Sequence, residues 1–195
     1  MNNDELSLFA WKVYFFYSQN ANCYDKINRY FCIYRKILPM HDLDRTELAL
    51  LAELQVDARL TIGQLAERVA LSPSPCWRRV KRLEEAGYIQ AYRAVLSSER
   101  LGYGVTAFVS VMMNSHSPEA CRQFEAQIAA IARIVACHNL SGRYDYLLEV
   151  VATDLKGFGD FMRDVLQPLP GIKEVNSSFS LRPVKNVRLL PLPNA

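Results

Sequence analysis

Two stretches of this sequence hold side chains whose types and spacing suit chemistry. In SPSPCWRRVKRLEEAG, running from Ser72 to Gly87, the cations Arg78, Arg79, Lys81 and Arg82 lie close together. Stepped at about 100° per residue they share an arc of roughly 160° with Ser74 and Pro75, opposite Cys76, Trp77, Val80 and Leu83. A cationic face with a hydroxyl and helix-start amides at its N-terminal end suits phosphate oxygens and major-groove base edges. The expectation is that Ser72, Ser74, Pro75, Arg78, Arg79, Lys81 and Arg82 meet double-stranded DNA, with Trp77, Val80 and Leu83 turned into the domain. The second stretch is NLSGRYD. Gly142 permits a tight turn whose N–H groups converge on a carboxylate, and Asp145 is a fixed anion for an ammonium, so the loop offers both complements of a free amino acid. A plain strand connection would use Ser-Gly-Arg equally well.

Other chemistry has little to stand on. The five cysteines, Cys23, Cys32, Cys76, Cys121 and Cys137, are odd in number and lack CxxC or Cys/His spacing, which reads as reduced thiols in a cytoplasmic protein without a metal site. Cys137 and His138 adjoin in a predicted strand, where neighbouring side chains point to opposite faces, so they make a poor nucleophile and base. There is no phosphate-cradling Gly-rich loop, no HExxH and no telling carboxylate pair, and His41, His116 and His138 have no triad-like context. No catalytic residue and no cofactor are expected. The net charge of +3 conceals a neutral centre: Lys plus Arg against Asp plus Glu is 5 to 3 in residues 1–41, 9 to 9 in 42–104 and 9 to 8 in 105–195. DNA binding therefore has to rest on where charge is placed.

The elements that position the basic stretch are well signalled. Ser72 can cap a first turn, Pro73 and Pro75 sit where a missing N–H costs nothing, and Gly87 is a natural stop. Leu43 to Val56 reads as an amphipathic helix with Leu43, Leu50, Leu51 and Leu54 on one side and Asp42 or Asp44 as cap. Thr61 with Gln64 forms a capping box for a second helix, on which Leu65 and Val69 share a face. Ala70 to Ser72 then lead into the basic helix, the layout of a helix-turn-helix. After Gly87, YIQAYRAVLS is rich in β-formers and predicts a short wing.

The string LDRTELALLAELQVDARLTIGQLAERVALSPSPCWRRVKRLEEAGYI resembles the winged helix-turn-helix domain of the Lrp/AsnC (feast/famine) transcriptional regulators, in which SPxPCxxRxxRLExxGxI is characteristic. The resemblance continues through VTAFVSV, CHNLSGRYDYLLEVV and LPGIKEVNSSFSL to about Lys185. It implies a regulator of amino-acid metabolism or transport, and a small effector, commonly an amino acid, bound around a G-x-[FY]-D segment between subunits. Carried onto this chain, the effector loop is Leu140, Ser141, Gly142, Arg143, Tyr144 and Asp145. Many relatives are acidic where Arg143 stands, and a guanidinium there could clamp an acidic group or a neighbouring subunit instead. The rival reading is a ligand-independent architectural DNA-binding protein.

The expected domains are an atypical extension over 1–41, a winged helix-turn-helix over 42–96 with its motif at about 62–81, a linker over 97–104, a sensing and assembly domain over 105–185 and a tail over 186–195. The extension holds 10 of the 21 aromatics, and Met40 lies just before the family-like start. Residues 1–39 are therefore expected to be dispensable, read from an upstream start codon; the alternative is an aromatic arm packed on a partner chain. Their apolar run, Leu6 to Tyr17, is too short to span a bilayer, and no cleavage site follows it.

In the C-terminal half, VTAFVSVMM, VACHNL, DYLLEVV and IKEVNSSFSL read as strands. A helix over Ser117 to Ile131 and a helix with Leu155, Phe158, Met162, Val165 and Leu169 on one side complete a ferredoxin-like βαββαβ order, so the fold class is α+β. Strands apolar on both faces need cover on both, and a second copy supplies it most simply through a two-fold interface. The resemblance implies a module that dimerises and often assembles further, so a homodimer or higher homo-oligomer is expected.

Overall fold

The computed structural model describes residues 43–186 and 189–192. The aromatic-rich extension and its expected dispensability lie outside the described residues. The chain divides into two compact units, one ending at Leu96 and taking in the segment from Val184 onward, the other formed by Ser97–Pro183.

The first unit contains α1 (Arg45–Val56), α2 (Ile62–Arg68) and α3 (Pro73–Glu85). Asp44 starts α1: its carboxylate accepts the Glu47 N–H at 2.8 Å, and the Glu47 carboxylate accepts the Asp44 N–H at 3.2 Å. Thr61 and Gln64 form the corresponding box on α2. Between α2 and α3, Ala70 takes a left-handed φ of 53° and the Leu71 N–H reaches the Ala66 carbonyl at 2.8 Å, which turns the chain sharply. At the end of α3, Gly87 adopts φ 77° while the Tyr88 N–H donates to the Leu83 carbonyl at 3.0 Å. Leu50, Leu51, Leu65, Ala66, Cys76, Val80 and Leu83 make the core, so the apolar arc of α3 is buried as its periodicity predicts, except at Trp77.

Trp77 is 54% exposed instead of turned inward. It stands at the edge of the buried arc, one residue past Cys76, and flanks a shallow recess of mixed lining with Leu54, Leu60, Lys81, Glu84 and Tyr92. The segment after α3 also differs from expectation in one respect. Residues 88–96 form no strand, because among the described residues no second segment folds back to bond them.

The second unit is a four-stranded antiparallel sheet of β1 (Val105–Met113), β2 (Ile134–Asn139), β3 (Tyr146–Ala152) and β4 (Ile172–Phe179), in the order β2-β3-β1-β4. Its helices are α4 (Pro118–Ala129) and α5 (Leu155–Phe161), the latter continuing into a π-helical turn, Met162–Leu166. Alternate residues Ala107, Val109, Val111 and Met113 of β1 and Tyr146, Leu148, Val150 and Ala152 of β3 bury against Phe124, Ile128, Phe158 and Phe161. Phe108, paired with Glu149 and Ser178, faces the other way and is 39% exposed. In β2, Cys137 pairs with the inward Leu148 and His138 with Leu147, so the two point to opposite faces. The π turn shifts the buried stripe: the Gln167 N–H bonds the Met162 carbonyl, and Leu166 goes inside where the 3.6-residue pattern places Val165. Gly104 opens β1 against the Thr153 carbonyl, 2.9 Å from where a Cβ would sit. No described helix is long and apolar enough to cross a membrane.

Candidate nucleic-acid interface and effector loop

Of the seven residues expected at DNA, Ser72, Ser74, Arg78 and Lys81 are exposed and Pro75 is half-buried. Ser72 occupies the N-cap position of α3, yet its hydroxyl makes no cap bond. The reason is local: Pro75 stands at the third helical position, where the N–H that a capping oxygen would accept is missing. Pro73 removes another donor, so among the first three positions only Ser74 keeps a backbone N–H. Arg78 makes no ion pair among the described residues, and Lys81 has only Glu84, at 3.6 Å.

Arg79 and Arg82 are held by the domain itself. Arg82 pairs with the carboxylate of Glu47, which has no exposed surface; Arg79 pairs with Asp44 and lies 3.7 Å from the same Glu47 oxygen. The carboxylates that cap α1 thus also grip α3, and they set the angle at which the basic helix is presented. Sequence reasoning missed Glu47, although the Asp44-x-x-Glu47 spacing before an apolar run is a capping-box signal. Around the recess beside α3, the Tyr92 hydroxyl donates to Glu84 at 3.0 Å; burial, and then this bond to a carboxylate, push its pKa up to about 12. Burial also raises the Cys76 thiol, which makes it a core residue and not a reactive one.

The loop from Leu140 to Asp145 joins β2 to β3, as predicted. Its ends close through the Leu140 N–H and the Asp145 carbonyl at 2.8 Å. Ser141, Gly142 and Arg143 are exposed and Tyr144 is half-buried. Gly142 is not among the glycines of positive φ, and a Cβ on it would meet nothing, so its freedom is not what shapes the turn. Asp145 also departs from the sequence argument. It is 4% exposed; one carboxylate oxygen accepts the Met113 N–H at 2.8 Å and the other lies 3.0 Å from Nε2 of His116. This carboxylate points into the chain, where the pairing of β1 with β4 shifts register between Met112 and Met113 and frees the Met113 amide.

The loop's outward carboxylate is Glu174 of β4. It lies 3.1 Å from the Tyr144 hydroxyl, which donates to it, and 3.4 Å from Arg143, whose guanidinium also sits 5.2 Å from the centre of the Tyr144 ring. Tyr146, just beyond the loop, is anchored by its hydroxyl on Glu125 at 2.8 Å and its ring against Phe124; burial, then the bonds to Glu125 and Cys121, raise its pKa. Among the described residues no three His, Cys, Asp or Glu side chains converge as a metal would require.

Comparison with known proteins agrees with both halves. Residues 43–90 match the winged helix-turn-helix DNA-binding family and residues 106–190 the Lrp/AsnC ligand binding domain. The chain is 36% identical over 150 residues to the DNA-binding transcriptional activator DecR of Escherichia coli K12, covering 77% of this chain and 99% of that one. It is 37% identical over 147 residues to the leucine-responsive regulatory protein of Salmonella typhimurium, covering 75% and 90%. Among solved structures, the transcriptional regulator NMB0573 of Neisseria meningitidis, in complex with L-Met, superposes with a TM-score of 0.73 at 40% identity, covering 76% of this chain and 96% of that one. The order of the two domains, the antiparallel sheet and the near-complete coverage of these relatives lead to one assignment: the chain belongs to the Lrp/AsnC family of DNA-binding transcriptional regulators, which are not enzymes.

Proposed function

We propose that this regulator docks α3 in the major groove as a homodimer or higher homo-oligomer, answers to a free amino acid at the Leu140–Asp145 loop, and controls amino-acid metabolism or transport in the cytoplasm. The observation that carries this reading is the division of labour on α3. Arg79 and Arg82 are tied to Asp44 and Glu47, while Arg78 stands exposed beside Ser74 with no ion pair among the described residues. The tied pair orients the helix and keeps outward N–H groups for phosphate; Arg78 and Ser74 reach base edges, Pro75 braces the start, and Ser72 and Lys81 meet the backbone.

On the sensing side, Ser141, Gly142, Arg143 and Tyr144 form the accessible part of the loop, and Asp145 holds it in place from within. Arg143 presents donors to the effector carboxylate, and Glu174 supplies the outward acidic complement to its ammonium. The L-Met bound by the neisserial protein and the leucine in the name of the Salmonella relative support an amino acid as the class. The outward sheet face, with Phe108, Met112, Leu147 and Val151, is the surface a second copy would cover. A thermal-shift screen of the amino acids tests the sensing half, since a ligand that prefers the folded state raises its stability. One or a few amino acids should shift the transition and change DNA affinity. No shift from any of them would reject the amino-acid reading and favour an architectural protein.

A further inference from the structure

We infer that the C-terminal segment is a strap that belongs to the DNA-binding unit and holds it from the side of α1. Gln55, near the end of α1, pairs in both directions with the backbone of one residue: the Leu190 N–H donates to Oε1 at 2.7 Å, and Nε2 donates to the Leu190 carbonyl at 3.3 Å. A side-chain amide offering donor and acceptor together imitates what a neighbouring strand offers an extended backbone. Two residues on, Leu192 is half-buried and packs against the core cluster of Leu50, Leu51, Leu65 and Leu83. The Leu190 side chain is 73% exposed, so the segment is recognised by its backbone at 190 and by its side chain at 192.

Sequence prepares the segment for this role. Leu190 precedes Pro191 and Leu192 precedes Pro193, and a residue before proline is confined to extended conformations. Both contacting residues are therefore restricted before they dock, which lowers the entropy lost on ordering them. The polypeptide leaves the DNA-binding unit after Leu96 and rejoins it at Val184. Among the described residues the chain thus passes between the two units twice, after Leu96 and after Pro183. The occupant of the α1 surface is this chain's own C-terminal segment.

Amide hydrogen exchange on the full-length chain tests the assignment. The Leu190 amide should exchange slowly, and Gln55→Ala should speed it about tenfold, the size of one lost hydrogen bond, with the amides of β1 to β4 unchanged. Gln55→Glu keeps an acceptor for the N–H but sets a carboxylate against the carbonyl, and should fall between the two. Ending the chain after Pro183 should lower the unfolding temperature of the DNA-binding unit and leave that of the sheet unit in place. Exchange at Leu190 at the rate of an open peptide, indifference to Gln55→Ala, or an unchanged transition on truncation would each overturn the strap. Protection that vanishes on dilution, as the oligomer dissociates, would hand the segment to a neighbouring copy and overturn the own-chain assignment.

Discussion

Replacing Arg82 by alanine should destabilise the DNA-binding unit before any DNA is added. Glu47 has no exposed surface, and its carboxylate is met by Arg82, by Arg79 at 3.7 Å and by the Asp44 N–H at 3.2 Å. Removing one partner of a buried ion pair costs about 3–5 kcal/mol, because a charge is left buried without compensation. Two features reduce that here. The Arg82 side chain is 62% exposed, so water already screens its end of the pair, and Arg79 is near enough to replace it in part. The expected loss is therefore about 2 kcal/mol, against roughly 0.5 kcal/mol for an ordinary surface substitution. Urea unfolding of the DNA-free protein measures it. Adding Glu47→Gln to the Arg82→Ala chain should recover part of the loss, since a neutral amide is buried at lower cost than an unpaired carboxylate. An Arg82→Ala chain within about 0.5 kcal/mol of its parent, with no recovery from Glu47→Gln, would refute the role of Arg82 as counter-ion to a buried charge.

Arg78→Ala should behave in the opposite way, leaving the urea midpoint unchanged and weakening DNA. A guanine contact predicts a loss of about 1–3 kcal/mol with relaxed specificity, a phosphate contact a salt slope lower by about one ion, and unchanged binding would remove Arg78 from the interface. Ala70→Gly should raise stability by about 0.5–1 kcal/mol by relieving a left-handed residue that carries a Cβ, seen as a higher urea midpoint. Asp145→Ala should cost about 1–3 kcal/mol in the sheet unit, because the buried Met113 N–H loses its acceptor; a purely ligand-contacting Asp145 would leave stability alone. Cys76 should resist iodoacetamide at neutral pH until the protein unfolds, its thiol being buried, while Cys137, also raised by partial burial and by Glu125 but exposed, reacts first of the two, as peptide mapping would show.

Much of the fold was legible because its signals are local. The Thr61 box, the prolines and glycine that bound α3, and the apolar alternation of β1 and β3 each act within a few residues, and the elements start and stop nearly where those signals lie. What escaped depends on pairs far apart in sequence. Arg82 and Glu47 are separated by 35 positions, and nothing in the basic arc of α3 distinguishes a cation that faces solvent from one that faces a buried carboxylate. Asp145 looks like an available anion when its loop is read alone; only the register shift at Met112 and Met113 exposes the amide that claims it. Residues 88–96 form no strand for a related reason, since their β propensity supplies no partner strand among the described residues. A single π turn was enough to move Leu166 inside in place of Val165.

The grip of Glu47 on α3 also bears on how such a regulator could change its operator. If α3 reads DNA as proposed, a lineage that altered Arg79 or Arg82 to read another base would loosen that helix, so those two positions are closed to drift unless Asp44 and Glu47 change with them. Ser74, Arg78 and Lys81 carry no such obligation to the core. New binding sites should therefore arise by substitution at these three, with the frame of the helix inherited intact.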